Sequence, residues 1–368
     1  MTLLKVFLCG DVMLGRGIDQ ILPHPLNSEL REAFVKDARI YVRLAEKANG
    51  PIDFPVDFSW PWGESLPALD ALAPDVRLIN LETSITRDGA FAPSKAVHYR
   101  MSPDNLACLT VARPDVCVLA NNHILDFGHQ GLTDTLEALA GAGLRGVGAG
   151  RDAPEAQSPA VVTVEGRRRV VFFSGGMESS GVPRRWAATE NRPGVSFIPD
   201  LSNRSAADIA MRLQELKQPG DIAVVSLHWG SNWGYDISGG QVRFAHRLID
   251  AGVDVVHGHS SHHPRPLEVF HKKLILYGCG DLIDDYEGIK GYEVYRPDLR
   301  LLYVASVDCG SGALTCLQMV PMQACNLRLR RACRADAEWL RSTLEHVSRR
   351  YGTRINCDSD GMLTLRLS

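Results

Sequence analysis

The stretch Leu119-Ala120-Asn121-Asn122-His123-Ile124-Leu125-Asp126 sets amides, an imidazole and a carboxylate close together at the end of an apolar run, Val116 to Leu119. Asn offers a hard oxygen ligand, His a ligand or a proton carrier, and an Asp three residues on can hold that imidazole's tautomer. Four other short segments carry groups of the same kind. They are Asp11 in Cys9-Gly10-Asp11, Glu82 in Asn80-Leu81-Glu82-Thr83, His228 in Leu227-His228-Trp229, and the run His257-Gly258-His259-Ser260-Ser261-His262-His263. No cysteine is among the donors, so the set suits Mn, Fe, Zn or Mg and not a structural zinc. Asp11, Glu82, Asn122, His228, His259 and His262 suffice for two divalent ions. Such ions, ~3.5–4 Å apart, share a carboxylate, clamp an oxyanion and supply hydroxide near neutral pH. His123 is then a free imidazole able to protonate a leaving group, with Asp126 orienting it. Each segment alone has a plainer reading: Asn and Asp close turns, Asp11 caps a helix, and a lone His at a strand end is simply hydrogen-bonded.

The combination gains weight from the elements that must carry it. The segments follow strand-like runs at Leu3 to Leu8, Val76 to Ile79, Val116 to Ala120, Ile222 to Leu227 and Val253 to Val256. Parallel strands bring their C-terminal ends to one edge of a sheet, where open α/β folds place their ligand chemistry. Helical spacing lies between them: Ser28 to Ala48 (Leu30, Phe34, Ala38, Tyr41, Val42, Ala45), Ser65 to Ala73, Ser102 to Ala112, 130–142, Ser205 to Gln218 and Gln241 to Ala251. Two hairpins are expected. One joins Ala160–Val164 to Val170–Ser174 through Glu165-Gly166, and the other joins Leu267–Phe270 to Leu274–Tyr277. The segment from Thr86 to Arg100 is turn-rich. Residues 175–200, rich in Gly, Ser, Pro and Arg, are expected to form a substrate loop presenting Arg184 and Arg185. After 301 the pattern changes to antiparallel strands (Leu301 to Val307, Ala313 to Val320), a helix (Ala335 to Arg350) and a last strand (Met362 to Leu367). We expect a catalytic domain over 1–300, with 301–368 completing it.

The chain has 368 residues, 45% of them hydrophobic and 23% charged, with a net charge of -3. This is a globular composition without the basic footprint of a nucleic-acid or acidic-membrane binder. Nine scattered cysteines, with no C-x-x-C pair, argue against a disulfide framework and suit a reducing compartment. Cys9, Cys117 and Cys279 fall in or beside apolar runs and read as small core residues. No apolar run approaches the ~20 residues that span a bilayer. Met1 to Cys9 lacks the basic start and cleavage site of a signal peptide. The expected setting is cytoplasmic, with no membrane partner.

At these residues the sequence resembles the CapA-like (poly-γ-glutamate capsule biosynthesis) family, within the calcineurin-like metallophosphoesterase superfamily. The matching pieces are Gly10 to Arg16, Asn80 to Thr83, Leu119 to His123, Leu227 to Gly230, and Val253 to His262 with Pro266 to Val269, in the family's order. The resemblance implies a four-layer α/β/β/α sandwich and a divalent metal centre at the positions named. There are departures. Metallophosphoesterases use D-x-H, and Met13 stands where that His would be. Glu82 replaces their shared Asp. Ser260 takes the position of the first His in G-x-H-P-H, leaving His259 or His257 to substitute. Asp281 stands where relatives have Asn and could add a negative charge near the site. The expected activity is hydrolysis of an amide or phosphoester in a small anionic or glutamate-containing substrate by metal-activated water. His123, Asp126 and Arg16 would be catalytic, and Arg16, Arg184, Arg185 and His257 would touch the substrate. The alternative is a non-catalytic accessory or binding protein in synthesis of a poly-γ-glutamate-like polymer.

Overall fold

The computed structural model describes residues 2–164 and 168–367, so the expected turn at Glu165-Gly166 lies outside the described residues. Two sheets pack face to face. Across the first, the order is Asp281–Ile283, Asp11–Val12, Val76–Leu81, Leu3–Leu8, Leu299–Asp308, Leu314–Ala324, Leu363–Arg366 and Arg354–Cys357. Val116–Val118 pairs in parallel with Val76–Leu81, and Arg145–Val147 pairs with it in turn. The second sheet runs Leu267–Phe270, Lys273–Leu276, Val255–His259, Ile222–His228, Arg169–Gly176 and Ala160–Thr163.

Strand periodicity explains the layering. Successive side chains of a strand point to opposite faces. Leu4, Val6 and Leu8 enter one core with Val76, Leu78, Val116 and Val118. From the second sheet, Val170, Phe172, Ile222, Val224 and Val255 meet them there. The alternate residues Phe7, Cys9, Ile79, Leu81 and Cys117 face a second core built with Leu69, Leu132 and Leu136 of the helices Ser65–Leu72 and Gly128–Gly141. On the far side, Val171, Phe173, Ala223 and Val225 pack on Ile209, Leu213, Phe244 and Leu248 of the helices Asn203–Gln214 and Gly239–Asp250. The chain is therefore an α/β/β/α sandwich. Central strands covered on both faces read as continuous apolar runs, as Ile222–His228 does.

Local chemistry fixes the ends of elements. Ser238 and Gln241 form a reciprocal capping box at the start of Gly239–Asp250. The expected helix from Ser28 to Ala48 is cut to Arg39–Asn49. Glu32 turns inward instead, accepting from Arg16 Nη1 at 2.8 Å and from the Tyr41 hydroxyl. That buried pairing wins over helical register, and Phe34, on the expected apolar stripe, is 98% exposed. The strand Arg354–Cys357 is an element that the apolar pattern did not reveal. All nine cysteines are free, and Cys9, Cys117 and Cys279 are buried as expected. Among the described residues no helix is long and apolar enough to cross a membrane.

Candidate metal centre

The site lies where the core between the sheets turns from apolar to polar. In the second sheet, Ile222 and Val224 share a face with Ser226 and His228, and Val255 shares one with His257 and His259. Register sets Ser226 opposite His257 and His228 opposite His259. In the first sheet, Val76 and Leu78 are followed on the same face by Asn80 and then Glu82. Asp11 is in register with Asn80 on one side and with Asp281 on the other.

Asn80 donates one amide to Asp11 Oδ1 at 2.8 Å and to Glu82 Oε2 at 2.7 Å, bridging the carboxylates. Its own oxygen accepts from Asn121 Nδ2 at 3.1 Å. His228 Nδ1 lies 3.8 Å from Glu82 Oε2, and His259 Nδ1 lies 3.8 Å from Asp11 Oδ1. The two imidazole nitrogens face each other at 2.9 Å. Ligand atoms of these four buried residues all fall within 4.8 Å of one another.

Hydrogen bonding behind the cluster fixes one tautomer. His257 Nε2 is 2.8 Å from the carbonyl of Cys9, which can only accept. His257 therefore carries its proton there, and its Nδ1 accepts from the Ser226 hydroxyl at 3.0 Å. Ser226 Oγ in turn accepts from His259 Nε2 at 3.0 Å. The lone pair of His259 Nδ1 is left facing Asp11 and His228. Such backing is how metal-ligating imidazoles are oriented. His257, expected as a ligand or substrate contact, is instead buried with both nitrogens committed, one layer behind the cluster.

The donors fit a divalent cation. Asp11 Oδ2, Asn122 Oδ1, His228 Nε2 and Asp281 Oδ2 are buried without a hydrogen-bond partner, a costly state unless something else satisfies them. Burial, then repulsion from Glu82 and Asp281, pushes the Asp11 carboxyl well above its ordinary range. Burial raises Glu82 to about 8, with Asp281 adding to it. Burial holds both His228 and His259 well below the usual imidazole value. Crowded carboxylates and unprotonated imidazoles make a site that a cation relieves.

His123 stands beside this cluster. Its Nδ1 lies 2.7 Å from Asp126 Oδ2, and its Nε2 is 3.9 Å from Glu82 Oε1. Asp126 also accepts from the Tyr99 N–H at 2.7 Å and from Lys95 Nζ. Lys95 Nζ lies 2.8 Å from His123 Nδ1. Burial, then the Lys95 charge, lowers His123 to about 4. Burial acts to raise Asp126, but Lys95 and His123 outweigh it and hold the carboxyl below its usual range. Lys95 has no local sequence signal, because it sits in the irregular 86–100 segment and its partners come from another loop. A cavity of about 500 Å³ opens over the cluster, lined by Glu82, Lys95, Asn122, His123, His262 and a rim of Trp233 and Tyr292. Those two rings stack at 3.9 Å and 7°.

Three expected contacts lie elsewhere. Arg16 is 3% exposed and committed to Glu32 and to Asp285, whose Oδ2 accepts from Nε at 3.0 Å, with its guanidinium 3.8 Å over the Tyr41 ring and 4.4 Å over the Tyr99 ring. It braces Tyr99, which meets His123 edge-on at 4.6 Å, and is not free for an anion. Its partners are remote in sequence, so spacing could not reveal them. Arg184 and Arg185 are exposed on a short turn that does not line the cavity; Arg185 donates to the Pro93 carbonyl at 3.2 Å.

Residues 5–286 match the model of a family described as bacterial capsule synthesis protein, PGA_cap. A probable polyglutamine synthesis accessory protein of Mycobacterium tuberculosis is 59% identical over 97% of this chain and 94% of its own length. The PGA biosynthesis protein CapA of Bacillus subtilis is 30% identical over 56% of this chain and 52% of its own. A solved structure described as a novel phosphatase from Mycoplasma pneumoniae has a TM-score of 0.46 at 9% identity, covering 88% of this chain and 94% of that one.

Proposed function

The chain belongs to the bacterial capsule synthesis (PGA_cap) family, and from that premise we propose that it is a divalent-metal-dependent hydrolase. It cleaves an amide or phosphoester bond in a small anionic, glutamate-containing substrate. The observation that carries this reading is the buried set Asp11, Glu82, His228 and His259, with its unsatisfied donor atoms, beneath a cavity that also exposes His123. Asp11, Glu82, His228 and His259 would hold one divalent cation, and Asp11 with His262 a second; bound there, the ions would supply Lewis acidity toward a carbonyl or phosphoryl oxygen and toward water.

The chain's own residues do the rest. Asn122 adds an oxygen donor from the same loop as His123. His123 keeps Nδ1 on Asp126, so Nε2 is the atom that gives or takes a proton at the leaving group. Lys95 keeps Asp126 ionised and supplies a positive charge on the cavity wall for the substrate's carboxylate or phosphate. Trp233 and Tyr292, stacked on each other, form one side of the cavity. Residues 301–368 complete the same domain by strand pairing. Nine free cysteines fit a cytoplasmic setting.

A second reading, a non-catalytic accessory protein for synthesis of a glutamate polymer, is favoured by the printed name of the 59% identical relative. The test is to assay the metal-loaded protein on γ-glutamyl amides and on phosphomonoesters, before and after chelation. Hydrolysis that disappears on chelation and returns with metal supports the enzyme. Activity in the stripped protein contradicts it, and a metal-loaded protein inert on both classes favours the accessory role.

A further inference from the structure

We infer that Asp281 is a metal ligand standing in for the imidazole absent at position 13, so that a second cation subsite is made by Asp11, Asp281 and His262. The inference rests on the metal-centre reading above. Ligand atoms of the three residues lie within 4.8 Å of one another. Strand register puts Asp281 directly beside Asp11. Each aspartate has one buried oxygen, Asp11 Oδ2 and Asp281 Oδ2, that meets no hydrogen-bond donor. They are 0% and 1% exposed, so water does not satisfy them from outside. His262 Nδ1 is 3.0 Å from Asp281 Oδ1, an ion-pair contact that ligation of both groups to one cation would replace.

Neighbouring groups leave Asp281 as the available donor. Met13 is fully buried, and its sulfur meets the Tyr286 hydroxyl at 3.8 Å; a thioether is too soft to replace the imidazole for this class of ion. Asp284 accepts from Arg300 at 2.5 Å and from the Tyr286 N–H at 2.9 Å, and its carboxyl also meets that of Asp281. Arg300 thereby balances part of the local negative charge. The two subsites then differ in chemistry. One offers two carboxylates and two imidazoles, the other two carboxylates and one imidazole. The second is the harder of the two and the one that admits Mg²⁺.

The test uses the full chain, stripped with chelator and titrated with Mn²⁺, reading unbound Mn²⁺ from its solution EPR signal. Wild type is expected to take up about two equivalents, of which excess Mg²⁺ displaces about one. Asp281→Asn keeps an oxygen to accept from His262 but loses the charge. It is expected to hold one ion as before and to bind the other at least about tenfold more weakly, with Asp281→Glu restoring part of the loss. Wild-type stoichiometry and affinity in Asp281→Asn would overturn the assignment. So would a wild type whose two ions both resist Mg²⁺, a measurement that needs no variant to fold. A wild type that binds one ion, lost in His259→Ala, removes the second subsite and leaves the hydrolase reading intact. A wild type that binds none removes both.

Discussion

In the proposed reaction His123 carries the proton, and its surroundings suit that role. Its Nδ1 is tied to Asp126, its ring is braced by Tyr99, and it lines the cavity. Replacing it by Ala should lower turnover by about 10²–10⁴ while leaving metal content unchanged; steady-state kinetics beside metal analysis checks this, and a fully active variant would refute the assigned role. His257 carries a second prediction. Burial lowers it from 6.5 to about 4, so between those values the unfolded chain binds a proton that the folded chain refuses. Stability is therefore lost as pH falls from 6.5 towards 4. In urea unfolding of the chelated protein, the loss between pH 7 and pH 5 should be larger by about 2 kcal/mol in wild type than in His257→Gln. An equal loss in the two proteins would contradict the buried neutral state. At this scale the types of donor were legible from sequence, but His257 and His259 were not separable. The strand runs on to His259, so both point the same way and only depth in the core tells ligand from support. Lys95 and the true partners of Arg16 were invisible, because each is defined by a contact between distant loops.

The elements position the site through one tight crossing. Asp11 can lie beside Asp281 because Gly10 and Gly280 touch: the Asp11 N–H donates to the Gly280 carbonyl at 3.1 Å, and a Cβ on Gly10 would sit 1.5 Å from that oxygen. Gly280 itself has φ +77°, a conformation that glycine takes at least cost. Gly10→Ala should force the two strands apart. It should cost about 3 kcal/mol in chemical denaturation and weaken metal uptake as well; wild-type stability would show that the crossing is slack. The strands were readable in advance at Leu3 to Leu8, Val76 to Ile79 and Ile222 to Leu227, since two covered faces give a continuous apolar run. The helix expected over Ser28 to Ala48 failed in its first half because Glu32 is drawn to Arg16, a partner that no local pattern reveals.

At the scale of the molecule, the last strands belong to the first sheet. Leu3–Leu8 pairs antiparallel over its whole length with Tyr303–Asp308 of the strand Leu299–Asp308, and Leu301, Tyr303, Ala305, Leu317 and Met319 enter the core between the sheets. At roughly 1.5–3 kcal/mol per buried large side chain, their removal exceeds much of the ~5–15 kcal/mol that holds a domain together. A fragment ending at residue 300 should therefore be insoluble or lack cooperative unfolding by circular dichroism; a cooperatively folded fragment would contradict this. The strands after 301 were legible as strands, but their partner was not, because pairing with the chain's first strand spans nearly its full length. The order of the site segments was legible, but not that those of Asp11, Glu82 and Asn122 belong to the first sheet and those of His228 and His259 to the second, so that they meet across the space between two sheets and not along one edge. The measurement that bears most directly on the whole is metal analysis of protein purified without chelator, wild type beside Glu82→Ala. About two equivalents of Mn, Fe or Zn in wild type, reduced in the variant, is the expected result. No bound metal in either protein, even after reconstitution, would contradict the metal centre and with it the hydrolase.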